Sequence, residues 1–258
     1  MNQLEQLGAL ARRAIVNTSR QPASVVPSIL FPLIFMSMSA GALNKATELP
    51  GFPQVDGFMQ FAISATIIQG ILFGAIGAGT DMARDIEGGF FDRLIASPVS
   101  RASIVIGRLA GAATLGFVQG IVFLLIVMLL GVTVEGGVAA IAMIAVAAAI
   151  IAAGVGAVTV SMGLRTGSSE AVQGAFPLIF VFLFFSSAFF PRDLMSGWFK
   201  TVASVNPLSH LVEGLRTQVI TGVDIGAWLT SIGIGASIFA LGLVLALAAL
   251  NGRLKASH

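Results

Sequence analysis

The chain has 258 residues, of which 56% are hydrophobic and only 10% are charged, and its mean hydropathy is +0.96. This composition excludes an ordinary soluble protein, in which about a quarter of the residues are charged, and indicates an integral membrane protein. A net charge of +2 is too small to indicate nucleic-acid binding, and the absence of cysteine excludes disulfides and thiolate metal sites.

Residues 1–20 are predicted to form an amphipathic helix that lies on the membrane surface. Apolar residues recur there at spacings of three and four, opposite charged and amide side chains such as Glu5, Arg12 and Arg13. The segment lacks the apolar core of a cleavable signal peptide. A short cytosolic tail helix is the alternative interpretation.

Six uncharged stretches each have the roughly 20 residues that a helix needs to cross the hydrocarbon layer. They are Ser24–Leu43, Phe58–Thr80, Leu109–Thr133, Val138–Leu164, Ala171–Phe190 and Gly226–Leu250. Backbone polar groups facing lipid must be paired within their own segment, so the fold class is predicted to be all-α with six transmembrane helices. Pro27, Pro32 and Pro177 are expected to kink their helices.

The distribution of Lys and Arg predicts that both termini are cytoplasmic. One side then holds Arg12, Arg13, Arg20, Arg84, Arg93, Arg101, Arg108, Arg165, Arg253 and Lys255. The other side holds Lys45, Arg192, Lys200 and Arg216. An excess of basic residues marks the cytoplasmic side of membrane proteins.

A charged segment, residues 81–108, separates the second and third predicted spans and is predicted to be a cytoplasmic loop. It holds Asp81, Arg84, Asp85, Glu87, Asp92, Arg93, Arg101 and Arg108. Within it, Phe90, Phe91, Leu94 and Ile95 share one side of a short helix that Pro98 is expected to end. The other side shows Glu87, Asp92 and Arg93. This helix is interpreted as a docking surface for a soluble partner, or alternatively as a helix lying on the membrane.

Several small and polar residues inside the predicted spans suggest contacts between helices. Gly70/Gly74, Gly107/Gly111 and Gly116/Gly120 are pairs that allow close helix approach, although membrane composition alone can also produce them. Gln69, Gln119 and Gln173 are candidates for a translocation path. Hydrogen bonding between helices is the alternative role for each.

Residues 191–225 are too apolar for an ordinary loop and are predicted to form two short helices, broken by Pro191 and Pro207, that enter the outer leaflet and return. His210, Glu213 and Arg216 share one helix face, where a Glu213–Arg216 pair is expected. Either an outer gate or a purely structural pair accounts for this arrangement.

The sequence has no phosphate-binding Gly-x-x-x-x-Gly-Lys-Ser/Thr loop, no His-Glu-x-x-His pair and no Gly-x-Ser-x-Gly motif. No residue is therefore assigned as catalytic or as a metal ligand, and the chain is not expected to be an enzyme by itself.

Two motifs resemble the ABC-2 type transporter permeases. The first runs from Glu87-Gly88-Gly89 through Asp92-Arg93-Leu94 and Ser97-Pro98 to Arg101, followed by Gly107-Arg108. The second contains Ser187 to Pro191, Trp198, and Asn206-Pro207-Leu208-Ser209-His210 through Arg216. The first motif is most similar to the daunorubicin-resistance-type exporters, because many other family members carry Glu-x-x-x-Gly-Thr where this chain has Gly88-Gly89-Phe90.

This resemblance implies roles for several segments and residues. Residues 87–97 would be a coupling helix that sits in a groove of a separate ATPase subunit, with contacts from Glu87, Phe90, Phe91, Asp92, Arg93, Leu94, Ser97 and Pro98. Residues 1–20 would be the connecting helix at the membrane surface. Residues 191–225, with Pro191, Asn206, Pro207, His210, Glu213 and Arg216, would close the exit.

The resemblance also implies two permease copies working on two ATPase copies, which bind ATP and Mg, in a bacterial plasma membrane. The chain itself would bind no cofactor. The expected substrate is amphipathic, drug-like or lipid-like, because the spans offer almost no charge. A membrane scaffold without a transport path, a polysaccharide or glycolipid exporter, and an ion channel or ion-coupled carrier are the alternatives; no acidic residue lies mid-span to support the last.

Overall fold

The computed structural model describes residues 3–97 and 99–256, and all regular secondary structure in those residues is helical. The α-helices are α1 (Gln3–Ser19), α2 (Pro22–Leu43), α3 (Phe58–Glu87), α4 (Phe90–Ile95), α5 (Arg101–Leu129), α6 (Gly137–Thr166), α7 (Ser169–Gly174), α8 (Phe176–Phe184), α9 (Gly197–Val205), α10 (Pro207–Ile220) and α11 (Ile225–Ala256). Two 3-10 turns lie at Asn44–Glu48 and Arg192–Leu194. The all-α prediction is confirmed for this part of the chain.

Five helices, α2, α3, α5, α6 and α11, are long and apolar enough to cross a membrane. Helix α3 lies at the centre of the bundle: 83% of its most apolar window is buried, against 22% for α2 and for α11. It contacts α2, α5, α6 and α10, while α11 packs mainly on α6. The chain is therefore a multi-pass membrane protein whose long helices surround α3.

The predicted span Ala171–Phe190 is not one continuous crossing helix. The structure divides it into α7 and α8, and the second of these ends at Phe184. Pro177 accounts for the break at Ala175, because its ring removes an amide donor and clashes with the carbonyl four residues earlier. The 16 residues from Ser169 to Phe184 span about 24 Å, less than the roughly 30 Å of hydrocarbon.

Helix α1 lies along α5. An added Cβ on Gly107 would meet Leu10, and one on Gly111 would meet Thr18 and the Ala14 backbone, so this predicted glycine pair lies where α1 and α5 are in contact. The other two pairs also lie at helix contacts: Gly116 and Gly120 face α6, and Gly70 and Gly74 face α5. The position of α1 on a membrane surface stays a prediction.

Residues 191–225 contain two short helices, α9 and α10, joined at Asn206. Helix α10 begins with Pro207 at its first position, where a missing amide proton costs nothing. It buries Leu211, Leu215 and Val219 against α3 and α11. Entry of this hairpin into the outer leaflet stays a prediction.

Helices α3 and α6 approach each other closely where they cross. A Cβ added to Gly79 would collide with the Thr159 carbonyl, and one added to Gly163 would collide with the Gly79 carbonyl. Rigid backbone stands at both positions, so neither site has a flexible side chain that can yield. The crossing therefore requires glycine on both helices.

We expect Gly163→Ala to lower the stability of the protein by about 1–3 kcal/mol, the usual cost of inserting a methyl group into a tightly packed interface. The apparent unfolding temperature of the purified protein in detergent measures this. Gly77→Ala is the matched control, because Gly77 also lies in α3 but has nothing within 4 Å of an added Cβ. That variant should be neutral or stabilised by up to about 1 kcal/mol; equal losses in both variants would contradict the tight crossing.

Candidate functional site

The charged segment 81–108 is mostly helical, and its placement as a cytoplasmic loop stays a prediction. Helix α3 continues through Asp81 to Glu87, and α5 already begins at Arg101. The interruption is limited to residues 88–100 and itself contains α4. The end of helix α3 beyond its apolar part holds acidic residues, and side chains from α1 and α5 form ion pairs with them. We call this end of the bundle the charged end.

Helix α4 is held in place by one buried aromatic side chain. The chain leaves α3 through Gly88 and Gly89, and Gly89 has a positive φ of 67°, a conformation that favours glycine. Phe91 then lies fully inside the bundle, 1% exposed, in one cluster with Met82 and Ile104. Burying a phenylalanine side chain contributes about 1.5–3 kcal/mol, which fixes the orientation of this single-turn helix.

The other side of α4 is free to meet a partner. Asp92 and Arg93 are exposed, and Phe90 is half-buried beneath the Arg13 guanidinium, 4.0 Å from its ring centroid. Leu94 and Ile95 pack partly against the buried cluster. Ser97 donates its hydroxyl proton to the Leu94 carbonyl at 2.6 Å. The predicted helix end at Pro98 lies outside the described residues.

Glu87, predicted as a partner contact, has contacts within the chain. Its carboxylate accepts hydrogen bonds from the Ser169 amide at 2.7 Å and the Ser169 hydroxyl at 3.2 Å. A carboxylate at a helix N-terminus is favourable because it meets unpaired amide groups and the positive end of the helix dipole. Glu87 thus joins the end of α3 to the start of α7.

An ionic cluster joins α1, α3 and α5 next to α4. Asp85 accepts hydrogen bonds from two Arg13 nitrogens, at 3.1 and 3.0 Å, and forms an ion pair with Arg108. Asp81 accepts from Asn17 at 2.7 Å and Gln21 at 3.1 Å. An Arg108 nitrogen lies 3.9 Å from Asp81. Partial burial lowers the pKa of Arg13, and the charge of Asp81 opposes that shift.

Arg108 is a buried member of this cluster. Only 8% of Arg108 is exposed, because its guanidinium lies between the two carboxylates rather than at the lipid surface. The sequence indicates a concentration of charge here, but Arg13 is 72 residues from Asp85, and no spacing rule connects them.

At the opposite end, Asn206 connects α8, α9 and α10. Its side-chain nitrogen donates to the Phe182 and Phe185 carbonyls at 2.6 and 2.8 Å, and its oxygen accepts from the Leu208 amide at 2.9 Å. Pro191 is buried and Pro207 is exposed. A ring nitrogen of His210 lies 2.9 Å from the Ser204 carbonyl oxygen, which joins α10 to α9.

The expected Glu213–Arg216 pair is wrong. Glu213 pairs with Arg192, whereas Arg216 turns into the bundle and is only 6% exposed. Arg216 donates to the carbonyls of Phe61, Ser187 and Ala188 at 3.0–3.1 Å, and its guanidinium stacks on the Phe61 ring, 3.6 Å from the centroid. The reason is register: position 213 faces the surface while position 216 faces α3.

The comparison with known proteins decides the family. The ABC-2 type transporter model matches residues 5–220. The chain belongs to the ABC-2 type transporter family. It is 26% identical to the "Daunorubicin resistance ABC transporter permease protein DrrB1" of Streptomyces coeruleorubidus, over 79% of this chain and 71% of that protein.

Two further relatives come from different lineages. The permease is 27% identical to the "Putative transport permease ycf38" of Porphyra purpurea, over 83% of this chain and 73% of the relative. It is 24% identical to the "Probable doxorubicin resistance ABC transporter permease protein DrrC" of Mycobacterium tuberculosis, over 81% and 75%. The resemblance to drug-exporter permeases is therefore confirmed.

The three glutamines proposed for a path in the permease do not share one environment. Gln119 is fully buried and donates to the Ser28 hydroxyl at 2.8 Å, which joins α5 to α2. Gln69 is 2% exposed within α3. Gln173 is exposed in α7 at the charged end and donates to the Ser169 carbonyl at 3.3 Å.

A column of aromatic rings on α2, α3, α8 and the segment after α8 was not predicted from the sequence. Neighbouring ring centroids lie 4.5–6.5 Å apart. The rings are Phe31, Phe35, Phe73, Phe176, Phe180, Phe184 and Phe189. The high phenylalanine count was available as a signal, but the alignment of three helices was not. Phe31 and Phe184 are 44% and 46% exposed, so the column reaches the surface of the permease.

Proposed function

We propose that this chain is the transmembrane subunit of an ATP-driven exporter for amphipathic, drug-like or lipid-like molecules. Two copies would work with two copies of a separate ATPase chain, which holds ATP and Mg. A bacterial plasma membrane is the proposed location, with the charged end of the bundle in the cytoplasm. The excess of basic residues at that end supports this orientation.

The observation that carries the proposal is the geometry of α4. Its apolar side is fixed by the buried Phe91, while Asp92 and Arg93 stand exposed on the other side. A charged, solvent-facing helix at the end of the central helix α3 is suited to contact a soluble subunit and to move with it. Because α3 contacts α2, α5, α6 and α10, such a movement could be transmitted to the opposite end of the bundle.

The aromatic column supports an amphipathic substrate. Aromatic side chains offer large contact areas, and a hydrophobic surface discriminates among ligands mainly by shape and area. The names of two relatives refer to daunorubicin and doxorubicin resistance. Family membership favours transport over a scaffold role, and the Gly88-Gly89-Phe90 sequence favours drug export over polysaccharide export.

At the opposite end, the proposed exit closure uses α9 and α10 with the loop before them. The Arg192–Glu213 pair borders a cleft of about 470 Å³ that also includes Pro191 and Arg216. This pair is 27% exposed on each side, so it can open at small energetic cost, as partly exposed ion pairs do. Arg216, in contrast, is expected to keep its position because three carbonyls hold it.

The function is tested with Asp92→Ala/Arg93→Ala in the permease reconstituted with its ATPase subunit. We expect substrate-stimulated ATP hydrolysis and export to fall about tenfold or more, because the exposed contact pair is lost, while the unfolding temperature stays unchanged. Arg20→Ala/Glu170→Ala is the matched control, since it removes one exposed charge of each sign at the same end. Normal coupled export in the α4 variant would overturn the proposal.

A further inference from the structure

The charged end of the bundle contains a cleft that is lined by both basic and apolar side chains. It has a volume of about 700 Å³ and lies between α4 and the C-terminal ends of α6 and α11. A second cleft of about 540 Å³ adjoins it and shares Ile95 and Leu254 with it. Together they form one groove beside α4, which we call the basic groove.

The basic groove combines a basic rim with an apolar floor. Its rim holds Arg101, Arg165, Arg253 and Lys255 against one acid, Asp92. Its floor holds Phe91, Leu164, Ala249 and Leu250. Four basic side chains next to an apolar floor favour a ligand that has both an anionic group and an apolar part.

Two of the basic side chains are fixed by contacts within the protein. Arg253 donates to the Leu164 carbonyl at 3.2 Å, which joins α11 to the end of α6. Arg101 donates to the Asn251 side chain at 2.9 Å, which joins α5 to α11. These contacts within the protein therefore orient Arg253 and Arg101. Arg165 and Lys255 are exposed at the rim of the groove.

An apolar surface continues from the basic groove along α11. The walls of the groove are formed by the last turns of α6 and α11, two helices long enough to cross a membrane. Val244, 64% exposed, lies one turn before Ala248 of the groove, and Leu241, 60% exposed, continues the same apolar surface along α11. An acyl chain can follow this surface while a phosphate stays among the rim cations.

We propose that the basic groove binds an anionic phospholipid, with its phosphate between Arg165, Arg253 and Lys255 and an acyl chain along α11. Asp92 and Ile95 of α4 form one wall, so an occupied groove holds α4 against the bundle. Lipid binding would then regulate how α4 meets the ATPase subunit. The binding step itself requires only this chain, so its failure is distinguishable from a failure of the proposed export function.

The test measures lipid binding to the purified permease alone, with phosphatidylglycerol and phosphatidylcholine of identical acyl chains, by native mass spectrometry. We expect Arg165→Gln/Lys255→Gln to weaken phosphatidylglycerol binding about tenfold. Each Lys or Arg near an anionic lipid adds electrostatic attraction, and this variant removes two such residues. Phosphatidylcholine, whose choline cation offsets the charge of its phosphate, should bind more weakly and lose less affinity in this variant. Both residues are exposed, so the fold should be retained, and Lys255→Gln alone should give a smaller loss in the same direction.

Arg12→Gln/Arg20→Gln is the matched control, since it removes two exposed positive charges from the same end but outside the groove. It should change binding less than twofold. Equal losses in the two double variants would indicate diffuse surface attraction and overturn the proposal. Glycerol phosphate, a soluble headgroup without acyl chains, should not displace the lipid at equal concentration; full displacement would also overturn it.

Discussion

Asp81→Asn/Asp85→Asn should destabilise the protein by roughly 3–5 kcal/mol, because it leaves Arg108 buried without a carboxylate partner. Arg108 is 8% exposed, and its guanidinium meets only these two acids among the ion pairs of the described residues. The double variant also replaces one of the two Asp85 oxygens that accept hydrogen bonds from Arg13 with an NH2 donor. The measurement is the apparent unfolding temperature in detergent, followed by size-exclusion chromatography.

Adding Arg108→Met to that double variant supplies the decisive comparison. In the wild-type background, Arg108→Met should destabilise the protein, because Asp81 and Asp85 lose their buried cationic partner. In the background without the acids it should stabilise, because it removes an uncompensated buried charge and keeps an apolar side chain of similar length. The same sign of effect in both backgrounds would contradict the ionic cluster. Arg13→Gln, at a side chain 40% exposed, should cost only about 0–1 kcal/mol.

The cluster has a mechanical consequence for the proposed coupling. It joins α1, α3 and α5 within one turn of α4, and Arg13 also covers the Phe90 ring of α4. In the proposed coupling, movement of α4 would therefore be transmitted to three helices together rather than to α3 alone. A variant that weakens the cluster without unfolding the protein, such as Arg13→Gln, should loosen this connection.

The apolar stretches of the sequence located the long helices well, because crossing the hydrocarbon imposes a length that composition reveals. Helix α2 and the predicted span from Ser24 differ by two residues at the start and agree at Leu43. The helical extent of the charged segment was not evident from the sequence. Helices α3 and α5 extend beyond the apolar layer and pair their charges with each other and with α1.

Pairing partners were the part that the sequence could not supply. Glu213 and Arg216 have the spacing of a helical ion pair, yet the fold brings Arg192 to Glu213 from 21 positions away. The break in the fifth span shows the opposite case, since Pro177 was a readable signal for it. The early end of α8 at Phe184 could not be predicted from the sequence. Asn206 stabilises the turn after Phe184 by donating to the carbonyl of Phe182, which lies 24 residues earlier in the chain.

Arg216→Ala should be among the most damaging single substitutions, with an expected loss of about 3 kcal/mol or more. It removes hydrogen bonds to three carbonyls and a cation–π contact at a fully buried position, and it opens a cavity between α10 and α3. Arg216→Lys should recover only part of this loss, because one ammonium group cannot reproduce the planar fork that spans Phe61 and Ser187. Unfolding temperatures of the purified variants give the comparison.

Arg192→Ala is the matched control for this prediction, since it removes an arginine from the same cleft. Arg192 has one ionic partner and is 27% exposed, so its loss should cost about 0–1 kcal/mol. It should instead alter export by weakening the proposed outer closure. If Arg192→Ala destabilised the protein more than Arg216→Ala, the division of the two arginines into an openable pair and a fixed structural contact would be wrong. The expected order follows from burial. Arg216→Ala leaves three buried carbonyls without their donor, whereas after Arg192→Ala water in the cleft can solvate the Glu213 carboxylate.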